Sequence, residues 1–256
     1  MSYSVFSQYY DQFTEDVDYP RRARWIARVL RGHGLSGGLT LDLACGTGSL
    51  TWELAALGYD MIGVDQSPDM LMEAMSKAGE YPDLQSPLFL CQSMTELDLY
   101  GTITAAVCTL DSLNHLSTFE QVEKAIALVG LFMEAGGIFI FDVNTRYKHC
   151  EVLGCNSFVY EDEEALCVWR NSLSEDETRV DIALDFFTEA EDGLYLRESE
   201  EFSEWYYSPE QLTAALEQHG FELLGRWGEM TETAPAADCQ RAVYVARKLY
   251  NDNMEC

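Results

Sequence analysis

The stretch LDLACGTGSL, Leu41 to Leu50, decides how the rest of the chain reads. An apolar run carrying one aspartate, Asp42, stops at a Gly-x-Gly turn, and a helical pattern, SLTWELAALG, begins at once. A strand running through a glycine turn into a helix is the opening of a parallel α/β sheet. Gly46 and Gly48 let the backbone approach a ligand without Cβ collisions, and the helix start behind them offers unpaired N–H groups.

The pattern repeats downstream. DMIGVD reads as a second strand, and SPDMLMEAMSKAG as a helix with Ser67 as N-cap and Pro68 at its first position. PLFLCQS and ITAAVCTLD read as two more strands. STFEQVEKAIALVGLFMEAGG reads as a helix opened by a capping box of Ser117 and Glu120 and closed by glycines, with GIFIFDVN as the fifth strand. From about Thr145 to Tyr207 helical periodicity disappears, and three segments alternate like antiparallel strands. A capped helix, SPEQLTAALEQHG, and a closing strand pair follow. The expected organisation is a core of residues 1–145 and 207–250 with a β-rich cap, residues 146–206, inserted after the fifth strand.

Bulk composition narrows the function. The 256 residues hold 16 Lys plus Arg against 44 Asp plus Glu, a net charge of -28. Such a field repels nucleic acid and anionic membrane surfaces, so neither is an expected partner. The eight cysteines show no C-x-x-C spacing, and the N-terminus has neither the basic nor the apolar region of a signal peptide. These features point to reduced thiols and a cytoplasmic protein. No His, Cys or carboxylate pair has metal-ligand spacing, so no metal is expected.

The turn suits two cofactor classes. Asp65 ends the second strand nineteen residues after Gly46, where a carboxylate can accept from both ribose hydroxyls. A dinucleotide fingerprint needs a third glycine, and Thr51 stands there instead, which weighs against a nicotinamide-dependent oxidoreductase.

LDLACGTG, GVDQSPDML, CQSMTELDL and CTLDSLNHL together resemble the motifs of class I S-adenosylmethionine-dependent methyltransferases. The likeness extends through ALVGLFMEAGGIFIFDVNT to RAVYVARK, most like small bacterial members with a β-rich cap. It implies a Rossmann-like α/β fold, a seven-stranded methyltransferase sheet with the antiparallel cap after strand five. It also implies S-adenosylmethionine as cofactor, S-adenosylhomocysteine as product and a small-molecule acceptor with an N, O or C nucleophile. By the resemblance, Ala44, Cys45, Gly46 and Gly48 line the methionine part. Asp65 takes the ribose, Gln66 and Met70 border the adenine, and Gln92, Ser93 and Met94 cover its other edge. Leu110 and Asp111 lie near the sulfonium, and Tyr10 closes over the cofactor. The family often has acids where Ser93 and Thr104 stand, which leaves room for a non-catalytic protein of the same fold.

Position along the chain nominates the acceptor side. His115, just past the fourth strand, is a candidate general base, with Asn114 and Arg146 as further catalytic candidates. Tyr19, Asn144 and Arg197 join them as acceptor contacts, Arg146 or Arg197 clamping an acceptor carboxylate. His33 and His219 sit at helix ends and read as structural. His149 has no evident role. The acidic runs YEDEEA and RESEEFSE read as solvated faces.

Overall fold

A computed structural model describes residues 17–161, 165–190 and 193–249. Its centre is a seven-stranded sheet of β1 (Leu39–Leu43), β2 (Asp60–Asp65), β3 (Leu88–Cys91), β4 (Ile103–Cys108), β5 (Met133–Asn144), β10 (Phe221–Gly228) and β11 (Arg241–Lys248). The strand order is β10-β11-β5-β4-β1-β2-β3. The pairings from β5 to β3 are parallel, and β11 is antiparallel to both its neighbours. The order reverses between β1 and β4, and that switch point opens a crevice at the carboxyl ends of the strands.

Alternating residues of the central strands feed two cores, one on each face. Phe139 and Phe141 of β5 pack with Ala106 and Tyr244 beneath α4 (Phe119–Phe132) and α5 (Pro209–Gln218). Ile138 and Ile140 face the other way, with Ala105, Val107, Val243 and Val245, against α1 (Tyr19–Gly32) and α2 (Ser49–Ala56). A third helix, α3 (Pro68–Ser76), follows β2, and its N-cap Ser67 accepts from Met70 N as expected. Each fully buried aliphatic or aromatic side chain contributes about 1.5–3 kcal/mol. Burial of both strand faces is what the near-continuous apolar runs encode.

Two local expectations shift. The capping box of α4 is Thr118 with Gln121, not Ser117 with Glu120. Ser117 instead donates to the Gln121 side chain through both its backbone N–H and its hydroxyl. The glycine turn after α4 is absorbed into β5. Gly136 (φ +86°) lies in a register shift that lets Ile103 pair with Met133 and Ala105 with Ile138.

The cap is a separate antiparallel sheet of β6 (Ser157–Glu161), β7 (Ala165–Leu173), β8 (Arg179–Glu189) and β9 (Tyr195–Trp205), in that order. The first alternating segment is two strands, β6 and β7, paired antiparallel. Val180, Ile182, Leu184 and Phe186 of β8 form the cap's own small core with Cys167 and Leu153. No helix among the described residues is long and apolar enough to cross a membrane.

Candidate active site

The glycine turn is locked by its own backbone. Cys45 N donates to Val64 O at 3.0 Å and Gly48 N to Cys45 O at 2.9 Å. Ala44, Gly46 and Gly48 all adopt positive φ, at 60°, 54° and 71°. The two glycines do different jobs. A Cβ on Gly46 would meet nothing within 4 Å, so its face is open. A Cβ on Gly48 would lie 2.8 Å from Ala74 Cβ, so Gly48 permits close packing of α2 on α3 instead of lining a ligand space. Thr51, at the third fingerprint position, donates to buried Asp42 at 2.6 Å. Burial pushes the Asp42 carboxyl up to about 7 despite that bond.

Asp65 is fixed from both sides. Its two oxygens accept from Gly46 N at 2.9 Å and Ser67 N at 2.8 Å. Burial raises its pKa, and these backbone bonds oppose the rise. Each carboxylate oxygen keeps a lone pair for a further donor. Beside it lies a cavity of about 290 Å³ at the switch point of the sheet. Ala44, Gly46, Asp65, Gln66 and Met70 line one part, as expected from the motifs, and Gln92, Ser93 and Met94 line another. Leu110 and His115 close the far end. A carboxylate with free lone pairs, apolar wall residues and an open Gly46 face fit an adenosyl group.

Some of these side chains make further bonds, and some expected residues stand away from the cavity. The Cys45 sulfur lies 3.0 Å from where a Gly63 Cβ would stand, so it packs on β2, and burial raises its thiol pKa well above the ordinary value. The Ser93 hydroxyl caps the turn that follows, accepting from Thr95 N at 3.3 Å. The Gln92 amide pins its loop through two 3.0 Å bonds to the Asp98 backbone. Thr104 donates to Leu39 O at 3.1 Å, at the opposite edge of the sheet from the cavity, so the missing acid there does not touch this site. Tyr10 lies outside the described residues.

The far end is assembled from distant parts of the chain. Leu110 and Asp111 both take left-handed backbone conformations, φ 58° and 54°, which cost non-glycine residues about 1–3 kcal/mol each. Asp142 of β5 compensates by accepting both of their N–H groups, at 3.1 and 2.7 Å. Arg22 of α1 and Arg241 of β11 in turn contact the Asp142 carboxylate at 3.3 and 3.5 Å, and both reach Glu229. Arg241 also clasps the Asp111 carboxylate, holding its pKa far below the usual range. Asp111 is therefore a buried anchor of this network and does not line the cavity.

Asn114 is fully buried and structural: it donates to Trp205 O at 2.7 Å and accepts from Asn144 N at 2.9 Å. It thereby staples the cap to β5. Arg146 is 57% exposed and paired with Glu177, outside the cavity. Arg197 is spent on Asp185, at 2.7 Å, in the cap. Tyr19 packs against the core on the α1 face. Of the three catalytic candidates only His115 reaches the cavity. Its ring lies 5.3 Å from that of Phe202, its Nδ1 is buried without a partner, and burial lowers its pKa.

The cap contributes two further residues, an aromatic at a strand position and an acid whose burial the sequence reading missed. Trp205, at the end of β9, lines the cavity from the cap. Glu204 beside it is 4% exposed, not part of a solvated face, and its Oε2 accepts from Asn144 Nδ2 at 2.7 Å. Strand alternation held the signal: Glu204 is two residues past Phe202, an apolar side chain that faces the cap core. Asp111, His115 and Glu204 each bring one possible ligand atom within 4.8 Å of the others, a grouping that linear spacing did not suggest.

Known proteins share this fold and parts of this sequence. A family model described as a methyltransferase domain matches residues 40–137. The chain is 31% identical to the putative methyltransferase YqeM of Bacillus subtilis, over 97% of this chain and 98% of that protein. A glycine/sarcosine N-methyltransferase of Parasynechococcus marenigrum is 29% identical over 53% of this chain and 50% of its own. The crystal structure of an S-adenosylmethionine-dependent methyltransferase from Clostridium acetobutylicum superposes with a TM-score of 0.84 at 29% identity, covering 94% of this chain and 96% of that one. The chain belongs to the class I S-adenosylmethionine-dependent methyltransferases, and S-adenosylmethionine is its cofactor.

Proposed function

We propose that the protein methylates the nitrogen of a small amine, with residues 146–206 acting as the lid over the acceptor. The observation that carries this reading is His115: an imidazole with an unpartnered Nδ1 at the Leu110 end of the cavity, next to buried carboxylates. The cofactor supplies an electrophilic methyl on a sulfonium. Ala44, Gly46 and Leu110 hold that end, and Asp65 takes the ribose hydroxyls. Gln66, Met70 and the Gln92–Met94 segment enclose the base. The protein's work is alignment, exclusion of water and removal of a proton.

A neutral imidazole beside the methyl suits an amine acceptor, which attacks as the free base and sheds one proton after methyl transfer. His115, kept neutral by burial, then takes the proton the new ammonium must lose. The glycine/sarcosine N-methyltransferase relative supports the nitrogen assignment by its name. Calorimetric titration with S-adenosylmethionine and S-adenosylhomocysteine comes first, followed by labelled-methyl transfer to panels of primary amines, secondary amines and phenols. Labelling confined to amines supports the reading. Labelling confined to phenols refutes it.

A further inference from the structure

Beyond His115, the molecule holds buried polar groups for which cofactor binding has no use. His149, in the turn Lys148–Leu153 after β5, is 0% exposed, and neither ring nitrogen has a hydrogen-bond partner. Asn144 Oδ1 and His115 Nδ1 are buried and unpartnered as well. Folded proteins rarely leave such atoms unused.

These groups lie in a line. His115 and Glu204 bring side-chain atoms within 4.8 Å of each other. Glu204 Oε2 is 3.8 Å from His149 Nε2. The His149 ring stands edge-on to Tyr206, with centroids 6.2 Å apart. Tyr206 lines a second pocket of about 280 Å³, with Arg146 and Arg226 at its wall. A row of titratable groups thus connects the methyl-transfer end of the cavity to a separate opening. Separations of this size are the span of one bridging water or a small side-chain rotation.

Charge decides what the row carries. Asp111, Asp142 and Glu229 are matched by Arg22 and Arg241, which pair with them, and by Lys148, whose field reaches Asp111 and Glu204. Glu204 is the carboxylate left over. One proton balances it, whereas a divalent metal would leave excess positive charge beside a sulfonium. Burial, with Asp111 nearby, pushes Glu204 up to about 8, and burial holds His149 down to about 4. Both shifts favour the uncharged forms, a protonated Glu204 beside a neutral His149. A neutral imidazole accepts on one nitrogen while it donates from the other.

We infer that Glu204 and His149 form the outlet for the proton released by methylation, an inference that rests on the amine reading above. The amine nitrogen bonds to the methyl carbon as the carbon–sulfur bond breaks, its electron pair staying on sulfur. The new ammonium gives one N–H proton to His115. His115 passes it to Glu204 while the proton already on Glu204 moves to His149 Nε2. His149 releases its Nδ1 proton past Tyr206 to water in the second pocket. One proton enters and one leaves per turnover; His149 is left with its proton on Nε2, and exchange of that proton with water or a flip of the ring restores the Nδ1 tautomer. Glu204 and His149 act through His115 and are positioning residues. Glu204 is faced by Asp111, His115, Asn144, Lys148, His149 and Arg241, and His149 by Asp111, Lys148, Glu204 and Tyr206. Tyr206 feels Glu210, Arg146, Arg226 and Cys150.

The test needs no acceptor, so it fails or succeeds independently of the amine reading. Protein labelled with ¹⁵N-histidine has four signals to follow, from His33, His115, His149 and His219. In wild type the His115 signal is expected to titrate in two steps, because strongly interacting sites share macroscopic transitions. In Glu204→Gln, which keeps an oxygen for Asn144, it collapses to one step displaced by about one pH unit or more, and in His149→Gln the step linked to Glu204 moves. His33 and His219 stay in place as reporters of the fold. A single-step His115 titration in wild type overturns the proposal even if both variants fail to fold, and so does an unchanged titration in the variants.

Discussion

At one end of the cavity, Asp65 is held by the N–H groups of Gly46 and Ser67, and the residues around it come from three short segments at the ends of β1, β2 and β3. At the other end, Asp111 is clasped by Arg241, Asp142 holds two left-handed residues in place, and Glu204 arrives from the cap. The first end is backbone geometry written in contiguous sequence. The second is a charge network in which a single contact, Arg22 to Glu229, joins residues 207 positions apart. The contrast assigns holding to one end and proton chemistry to the other. Substitutions should therefore separate turnover from cofactor affinity.

The largest effect is expected at His115. His115→Ala should lower kcat by about 10²-fold or more, the usual contribution of a positioned base. Calorimetry should find cofactor affinity nearly unchanged. Turnover in wild type falls as pH drops and His115 gains its proton. Burial lowers that pKa from the ordinary 6.5, so the fall belongs on the acid side of 6.5. A large loss of cofactor affinity in the variant would erase the division between the two ends. Asp65→Ala is the mirror experiment. A carboxylate taking charged hydrogen bonds is worth about 1.5–3 kcal/mol per bond, so affinity should fall about 10²-fold. At saturating cofactor, kcat should recover most of its wild-type value.

The two glycines sharpen the comparison within the cofactor end. Gly48→Ala brings a Cβ to 2.8 Å from Ala74 at φ +71°, so it should destabilise the fold by about 1–3 kcal/mol. A melting temperature lowered by several degrees would register it. Gly46→Ala meets nothing within 4 Å, so its stability loss should be the smaller one, the strain of a Cβ at φ +54° of about 1 kcal/mol, with weaker cofactor binding beside it. Equal losses of stability in both variants would mean that neither glycine faces a ligand.

The two ends also differ in how far the sequence discloses them. The segment from Leu41 to Met94 could be read because its contacts are local: a strand, a turn and a helix start sit next to one another in the chain. Gly48 was assigned to the ligand because spacing cannot distinguish an open face from a helix packed at its Cβ position. The α4 cap slid by one residue because Ser117 and Thr118 both precede an acceptor at the right interval. Asn114 and Arg146 looked catalytic because they follow strand ends, yet only tertiary contacts show one stapling the cap and the other paired at the surface. Glu204 sat in a run of acids whose alternation was masked by its uniform charge. What makes it different is burial, which Phe202, two positions earlier, announces only to a reader who already has the strand.

Arg197 supplies the smallest expected effect and the strictest check on that account. Position alone made it an acceptor clamp. In the cap it donates through Nε and Nη2 to one oxygen of Asp185, while Arg170 and Ser199 bond the same carboxylate. The Arg197 side chain is 57% exposed, and exposed ion pairs contribute at most about 1 kcal/mol. Asp185 keeps two donors when Arg197 is removed, so Arg197→Ala should leave kcat, KM for the acceptor and cofactor affinity unchanged, and lower stability only slightly. A rise in KM for the acceptor with cofactor affinity intact would carry the acceptor site out onto the cap sheet. The network around Asp111 and Glu204 would then be its floor and not its whole extent.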